Sequence, residues 1–150
     1  MEIQTSRFGT LEVDGDKLIT FEQGILGFPN QEQYALIQAG EDSGFYWLQA
    51  VGRPELAFVV CDPRLFVPDY YAPVKAEELE KLGLKSPDGA QVFVIVNKVG
   101  DMLSGNLQGP LVVNIETRAA TQLVLSDKRY STRHPLMRLA QREEVMTKTG

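Results

Sequence analysis

The sequence is poor in the two side chains that build most metal sites and covalent catalytic sites. It contains one cysteine, Cys61, and one histidine, His134. A single cysteine forms no internal disulfide, and the pair falls short of the ligand set of a structural zinc site. No acidic pattern resembles a calcium loop. The sequence therefore predicts no metal site and no cofactor, and it favours a reducing, cytoplasmic location.

Long apolar runs are also missing. The longest, LAFVVC and VFVIV, have the length of strands and fall far short of the about 18 residues that span a bilayer. The first residues, MEIQTSRF, lack the basic and apolar regions of a signal peptide. We therefore expect neither secretion nor a membrane partner.

Basic charge is scarce in the first three quarters of the chain. Residues 1–116 carry 17 acidic and 8 basic side chains, a net charge of −9, whereas residues 117–150 carry 3 acidic and 7 basic, a net charge of +4. An acidic body argues against direct nucleic-acid binding, which needs a basic face for the phosphates. The acidic body could attract a basic protein partner. Alternatively, the same charges belong to a solvated surface that binds no partner.

Hydrophobic residues follow a period of two along most of the chain, as in strands. The segments with this pattern are rich in branched and aromatic residues: TLEV, KLITF, YALIQ, FYWLQAV, ELAFVVC, QVFVIVNKV, GPLVVNI and TQLVLS. Clusters of Gly, Pro, Asp and Asn separate them. Because strands do not alternate with helices, the sequence predicts an antiparallel sandwich or small barrel rather than a parallel sheet.

Only two segments have helical character. In residues 72–84, acidic side chains come early, and Gly83 suits the left-handed position after a helix. In residues 134–148, Pro135 suits a first helical position, and Leu136, Leu139 and Ala140 form a stripe. We expect one or two short helices, the second fraying towards the C terminus.

Neither Cys61 nor His134 has the neighbours of a catalytic group. Cys61 ends an apolar strand, as buried cysteines often do, and no nearby charge clearly favours its thiolate. His134 precedes Pro135, which favours an extended backbone, and the sequence offers it no evident nucleophile or orienting acid. We therefore expect Cys61 in the core, and a hydrogen-bonding or capping His134 imidazole at a junction between the last strand and a tail helix.

Two further motifs are open to a functional interpretation. Gly24 and Gly27 in EQGILGF are followed by neither a further fingerprint glycine nor the Gly-Lys-Ser/Thr of a phosphate-binding loop. They are better explained as turn residues with positive φ. Tyr70 and Tyr71 lie between prolines in FVPDYYAP. They either form a binding hot spot on a stiff loop or plug one end of the barrel core.

Three segments, in order, resemble the flagellar assembly factor FliW family. The distinctive motifs are F-E-x-G-I-x-G-F at Phe21–Phe28, W-L-Q-x-V…P-E-L-A-F-V-V from Trp47 to Val60, and Y-S-T-R-H-P-L at Tyr130–Leu136. The resemblance extends from Ile3 to Leu136 and implies a mostly β, compact, antiparallel barrel-like single domain with one or two short helices. We therefore predict a FliW-like β-barrel domain over residues 1–136 and a C-terminal tail, a short helix or a frayed segment, over residues 137–150.

The resemblance implies a regulator and not an enzyme. Members of the family bind the carbon storage regulator CsrA, an RNA-binding translational repressor, away from its RNA groove and relieve its repression of flagellin synthesis. They also bind flagellin, which couples the flagellin level to its translation, and neither nucleic acid nor a membrane is a direct partner. The partner-binding residues that we predict from loop position and chemistry are Glu22, Phe28, Pro29, Asp69, Tyr70 and Tyr71. The alternative is a small ligand-binding or hydrolytic β-barrel protein that depends on His134.

Overall fold

Strands dominate residues 1–139, which are the residues that the computed structural model describes. The strands are β1 (Glu2–Thr5), β2 (Gly9–Glu12), β3 (Ile19–Phe21), β4 (Gln33–Gln38), β5 (Phe45–Ala50), β6 (Ala57–Cys61), β7 (Ala90–Val99), β8 (Met102–Gly105), β9 (Leu111–Asn114), β10 (Ala119–Gln122) and β11 (His134–Arg138). The α-helix in this part of the chain is α1 (Ala76–Lys81), and short 3₁₀ turns lie at Gly15–Lys17, Pro63–Leu65 and Pro87–Gly89. This composition confirms the mostly β prediction.

Seven of these strands close a barrel. Their order is β3, β4, β5, β6, β7, β9 and β10, and β10 pairs with β3 to complete the ring. The pairs are antiparallel except for β3 and β10, which are parallel over two residues. Long strand β7 makes the closure possible because residues 90–93 pair with β9, whereas residues 96–99 pair with β8. Strands β8 and β11 therefore extend the sheet beyond the barrel.

The barrel interior is filled by side chains that alternate inward along the strands. Tyr34, Phe21 and Leu48 are at most 2% exposed at its centre, and Phe93 and Leu111 pack with them. The edge-to-face contact of Phe21 and Tyr34, with ring centroids 5.6 Å apart, suits the charge distribution of aromatic rings. The alternation seen in the sequence is thus the pleat of a small filled barrel.

Apolar residues on the outward side of the barrel are covered by the N-terminal hairpin, by a loop from the middle of the chain and by the segment leading into β11. The β1–β2 hairpin covers Ala35 with Ile3 and Leu11. A second outer cluster contains Phe45, Cys61, Tyr70, Val94, Val96, Leu107 and Tyr130. The loop after β6 and the segment leading into β11 supply its cover, so both loops are fixed to the barrel by burial of apolar surface.

The first helix prediction is confirmed, and the second is wrong over residues 134–138, whereas Leu139 is helical. Gly83 follows α1 with φ +71°, as the sequence predicts. Residues 134–138, however, form β11 on β8, with a register shift between Pro135 and Met137. Proline is tolerated in an edge strand at such an irregularity, and Leu136 and Met137 pack on the outer cluster. Residues 140–150, which include the rest of the predicted helix over residues 140–148 and the end of the predicted tail, lie outside the described residues.

Three other features differ from the sequence predictions. Strand β10 ends at Gln122, so residues 123–126 of the segment TQLVLS lie beyond it. Strands β1 and β8 occur in short polar segments that the alternation did not identify as strands. The parallel pairing of β3 with β10 departs from the all-antiparallel arrangement.

Candidate partner-binding surface

The six predicted partner-binding residues fall into two groups in the structure. Glu22, Phe28 and Pro29 belong to the loop between β3 and β4, and Asp69, Tyr70 and Tyr71 belong to the loop after β6. Glu22, Pro29, Asp69 and Tyr71 are exposed, Phe28 is half-buried and Tyr70 is buried. Among the described residues, no hydrogen bond or ring contact joins one group to the other.

The β3–β4 loop is a tight turn because two glycines take positive φ. Gly24 has φ +69° and Gly27 has φ +89°, as the sequence predicts for turn glycines. Ile25 and Phe28 form an isolated bridge, and the Phe28 ring stacks edge-to-face on Phe58 with 5.3 Å between centroids. A Cβ at Gly24 would lie only 2.4 Å from the Phe28 carbonyl oxygen. The motif therefore builds a closely packed turn.

Leu26 is the residue that this turn presents to solvent, and it is not among the six predicted partner-binding residues. Its side chain is 67% exposed, while neighbouring Ile25 is buried in the barrel. Its backbone N–H donates to Oε1 of Gln122 over 2.8 Å. An apolar residue between two glycines was a signal that could have identified this tip.

Tyr70 does not present its phenol on the surface. Its hydroxyl donates a 2.6 Å hydrogen bond to the Leu107 carbonyl, and its ring packs on Tyr130 with 4.6 Å between centroids. Burial raises the pKa of Tyr70 above that of a free tyrosine. Of the two interpretations of the tyrosine pair, packing into the core therefore applies to Tyr70, although its cluster lies outside the barrel.

Tyr71 is the exposed member of the pair. Its side chain is 65% exposed, and its backbone N–H donates to the hydroxyl of Tyr130 over 3.0 Å. It borders a cleft of about 330 Å³, which we call the Tyr71 cleft. The lining residues are Arg64, Tyr70, Tyr71, Ala72, Val74, Pro87, Asp88, Ala90 and Val92. An apolar floor with one cation and one anion at its sides suits the side chains of a protein partner.

The two rare side chains do not form a nucleophilic site. Cys61 is fully buried, as predicted, and burial, with Asp62 nearby, raises the pKa of its thiol to about 12. A protonated thiol is a poor nucleophile. His134 is half-buried in β11, and its imidazole makes no hydrogen bond to any of residues 1–139. The expected hydrogen-bonding imidazole at a strand–helix junction is therefore wrong.

Within residues 1–139, no three His, Cys, Asp or Glu side chains are grouped closely enough to hold a metal ion. In the same part of the chain, no helix is long and apolar enough to cross a membrane. The ligand-binding or hydrolytic alternative stays an untested prediction.

Comparison with known proteins gives one consistent result. The model of the family described as FliW protein matches residues 2–136. The flagellar assembly factor FliW of Magnetococcus marinus is 38% identical over 148 residues, covering 97% of this chain and 90% of that protein. Its namesake from Moorella thermoacetica is 39% identical over 141 residues, covering 92% and 89%. A crystal structure of the flagellar assembly factor FliW has a TM-score of 0.84 at 32% identity, covering 91% of this chain and 97% of that chain.

Proposed function

The chain belongs to the FliW family of flagellar assembly factors, and from this we propose that it is a cytoplasmic, non-enzymatic regulator of flagellin synthesis. In this proposal it binds the translational repressor CsrA and relieves repression of flagellin translation. It also binds flagellin, and competition between the two partners couples the flagellin level to its synthesis. The family match over residues 2–136 is the observation that carries the proposal.

The Tyr71 cleft supports a docking role for one partner. Tyr71 stands exposed at its edge, while Tyr70 and Tyr130 hold the backbone beneath it. A helical segment docks by laying its apolar face into a groove, and Val74 and Val92 offer an apolar floor. The net charge of −9 over residues 1–116 favours encounter with a basic RNA-binding protein.

Binding measurements with purified partners test the proposal. We expect the chain to bind CsrA and flagellin separately in isothermal titration calorimetry, and flagellin to displace CsrA in a competition titration. Tyr71→Ala should weaken binding of the partner that uses the cleft by about tenfold, because the contact of an exposed aromatic side chain with the partner is lost.

Val99→Ala is the matched control for this variant. Val99 is similarly exposed, at 60%, but lies at the end of β7 away from the cleft-lining Ala90 and Val92. It should leave both affinities unchanged. Absence of binding to CsrA and to flagellin would contradict the proposed function. Equal effects of the two variants would place the contact elsewhere than at Tyr71.

A further inference from the structure

The chain continues in an extended form for several residues beyond β10. The N–H of Leu123 donates to the Pro110 carbonyl over 2.9 Å, and the N–H of Leu125 donates to the Gln108 carbonyl over 2.8 Å. These bonds prolong the pairing of β10 with β9. We call residues 123–126 the edge segment.

The opposite side of the edge segment is open. In an antiparallel pair, alternate residues direct their N–H and C=O groups to opposite sides. The backbone groups of Val124 and Ser126 make no hydrogen bond with any residue in the described range 1–139. Strand β3, which pairs with β10 on this side, ends at Phe21. Within residues 1–139, two backbone donors and two backbone acceptors along this edge are therefore unpaired.

A cleft lies beside the edge segment. It has a volume of about 280 Å³ and is lined by Pro73, Lys75, Glu78 and residues 122–127. Val124 is 74% exposed. Leu26 is 67% exposed and is fixed to Gln122 by its backbone N–H. A chain placed along the edge would thus have the cleft at α1, which Val124 helps to line, within reach of its side chains.

We propose that the edge segment binds an extended peptide segment of a partner protein by strand addition. A helix satisfies its own backbone groups, whereas an extended segment pairs with the open donors and acceptors of Val124 and Ser126. In the cleft lining, Glu78 forms an ion pair with Lys81 and Asp127 forms one with Arg129, so the attraction for a basic segment comes from the net charge of −5 of the whole chain. The partner segment therefore alternates basic and apolar residues.

A second copy of the chain fits this edge less well than a basic peptide does. Two copies of a chain with net charge −5 repel each other at low salt. The outer edge of β11 is the other end of the sheet, and there Pro135 lacks an N–H and the register shifts. Both features are known to discourage pairing between sheet edges. The inference is independent of the proposed function, because it names a backbone edge and not CsrA or flagellin.

A synthetic peptide of ten alternating lysines and valines is the probe that tests this site. We expect its addition to the ¹⁵N-labelled full chain to shift the amide signals of Val124 and Ser126 most and to slow their hydrogen exchange. The same peptide with N-methylated alternate amides keeps its charge and side chains but loses backbone donors. It should bind at least about tenfold more weakly, because buried acceptors lose their partners.

Val124→Pro and Val124→Thr provide the matched pair on the protein side. Proline removes an N–H that is unpaired within the described fold, so it should weaken binding about tenfold and leave the thermal midpoint close to that of the parent chain. Threonine keeps the N–H and should bind within about twofold of the parent.

Several results would overturn the inference. They are no binding at millimolar peptide, equal binding of the two peptides, and equal binding by the proline variant. Concentration-dependent dimerisation that Val124→Pro abolishes, without any peptide effect, would assign the edge to a second copy instead. The comparison of the two peptides uses the unaltered chain, so it decides the matter even if the proline variant does not fold.

Discussion

Tyr70 and Tyr130 pack ring against ring with their centroids 4.6 Å apart and their planes inclined at 53°. Each hydroxyl also forms a hydrogen bond with a different part of the backbone. That of Tyr70 donates to Leu107, and that of Tyr130 accepts from Tyr71. Residues far apart in the chain thereby fix the loop that carries the Tyr71 cleft. The motif beginning at Tyr130 thus contributes to the surface through packing and not through His134.

Tyr70→Phe should lower the free energy of unfolding by about 1–2 kcal/mol. The substitution keeps the ring but leaves the buried Leu107 carbonyl without this hydrogen bond, and an unsatisfied buried acceptor costs about that much. Urea unfolding followed by circular dichroism measures the change. Tyr71→Phe is the control, because its side chain is exposed and makes no hydrogen bond to residues 1–139. Equal losses for the two variants would contradict the prediction.

Tyr34→Phe, in contrast, should not lower the free energy of unfolding. The Tyr34 hydroxyl is fully buried and finds no hydrogen-bond partner within residues 1–139, and burial raises its pKa to about 12. Removing an unpaired buried hydroxyl while keeping the ring should leave stability unchanged or raise it by about 1 kcal/mol. The same urea titration applies. A loss as large as that of Tyr70→Phe would show that the hydroxyl has a partner.

Comparison of Gly24→Ala with Gly27→Ala separates the cost of a steric clash from the cost of an unfavourable backbone conformation. Both residues have positive φ, so each alanine should cost about 1–2 kcal/mol for the left-handed conformation. At Gly24 the new methyl would also meet Phe28 and Pro29 backbone atoms at 2.4–2.8 Å, whereas at Gly27 no atom lies within 4 Å. We expect a total loss of about 3 kcal/mol or more at Gly24. Thermal unfolding with equal midpoints for the two variants would refute this difference.

His134→Ala should change stability by less than about 1 kcal/mol, since its imidazole makes no hydrogen bond within the described chain. Leu136→Ala, two residues later in β11, should cost about 2 kcal/mol. Leu136 packs on the outer cluster, and its Cδ1 lies 3.2 Å from where a Cβ of Gly105 would stand. Differential scanning calorimetry of both variants tests the contrast. Unchanged stability with lost partner binding in His134→Ala would place this strand on an interface.

The fold could be predicted where local pattern and tertiary environment agree. The alternation in β4 to β7 is strong because one side of each strand faces the filled barrel interior. Strand β11 could not be predicted in the same way. The spacing of Leu136 and Leu139 also fits a helix. The segment forms a strand because it pairs with the free edge of β8, more than 30 residues earlier in the chain. Such pairing is a long-range property that a local window does not contain.

The candidate surface could be predicted only in part for a similar reason. The sequence identifies Tyr70 and Tyr71 as a pair, but it does not say which ring is buried. That choice depends on Tyr130 and Leu107, which the fold brings beneath the loop. Leu26 was missed because apolar residues within a turn are usually assigned to the core.

The carboxylate of Asp62 should make the free energy of unfolding depend on pH in the acid range. This carboxylate caps the turn at Pro63–Leu65, accepting from the backbone N–H of Arg64 at 2.9 Å, and it also accepts from the Arg64 side chain and from Gln91 Nε2 at 3.1 Å. Burial acts to raise the pKa of Asp62, but these hydrogen bonds outweigh it and lower the pKa overall.

Because the folded pKa lies below the unfolded value of about 3.9, this stabilisation is present above that pH and is lost as the pH falls through the folded pKa. Asp62→Asn should therefore be less stable than the parent at pH 7, and the difference should shrink below about pH 4. Asp69→Asn, an exposed carboxylate in the same loop without a hydrogen bond to residues 1–139, should change stability by less than about 0.5 kcal/mol at either pH. Urea unfolding of all three proteins at pH 7 and pH 3 measures both effects. A deficit for Asp62→Asn that stayed constant between these pH values would mean that the Asp62 charge is not its source.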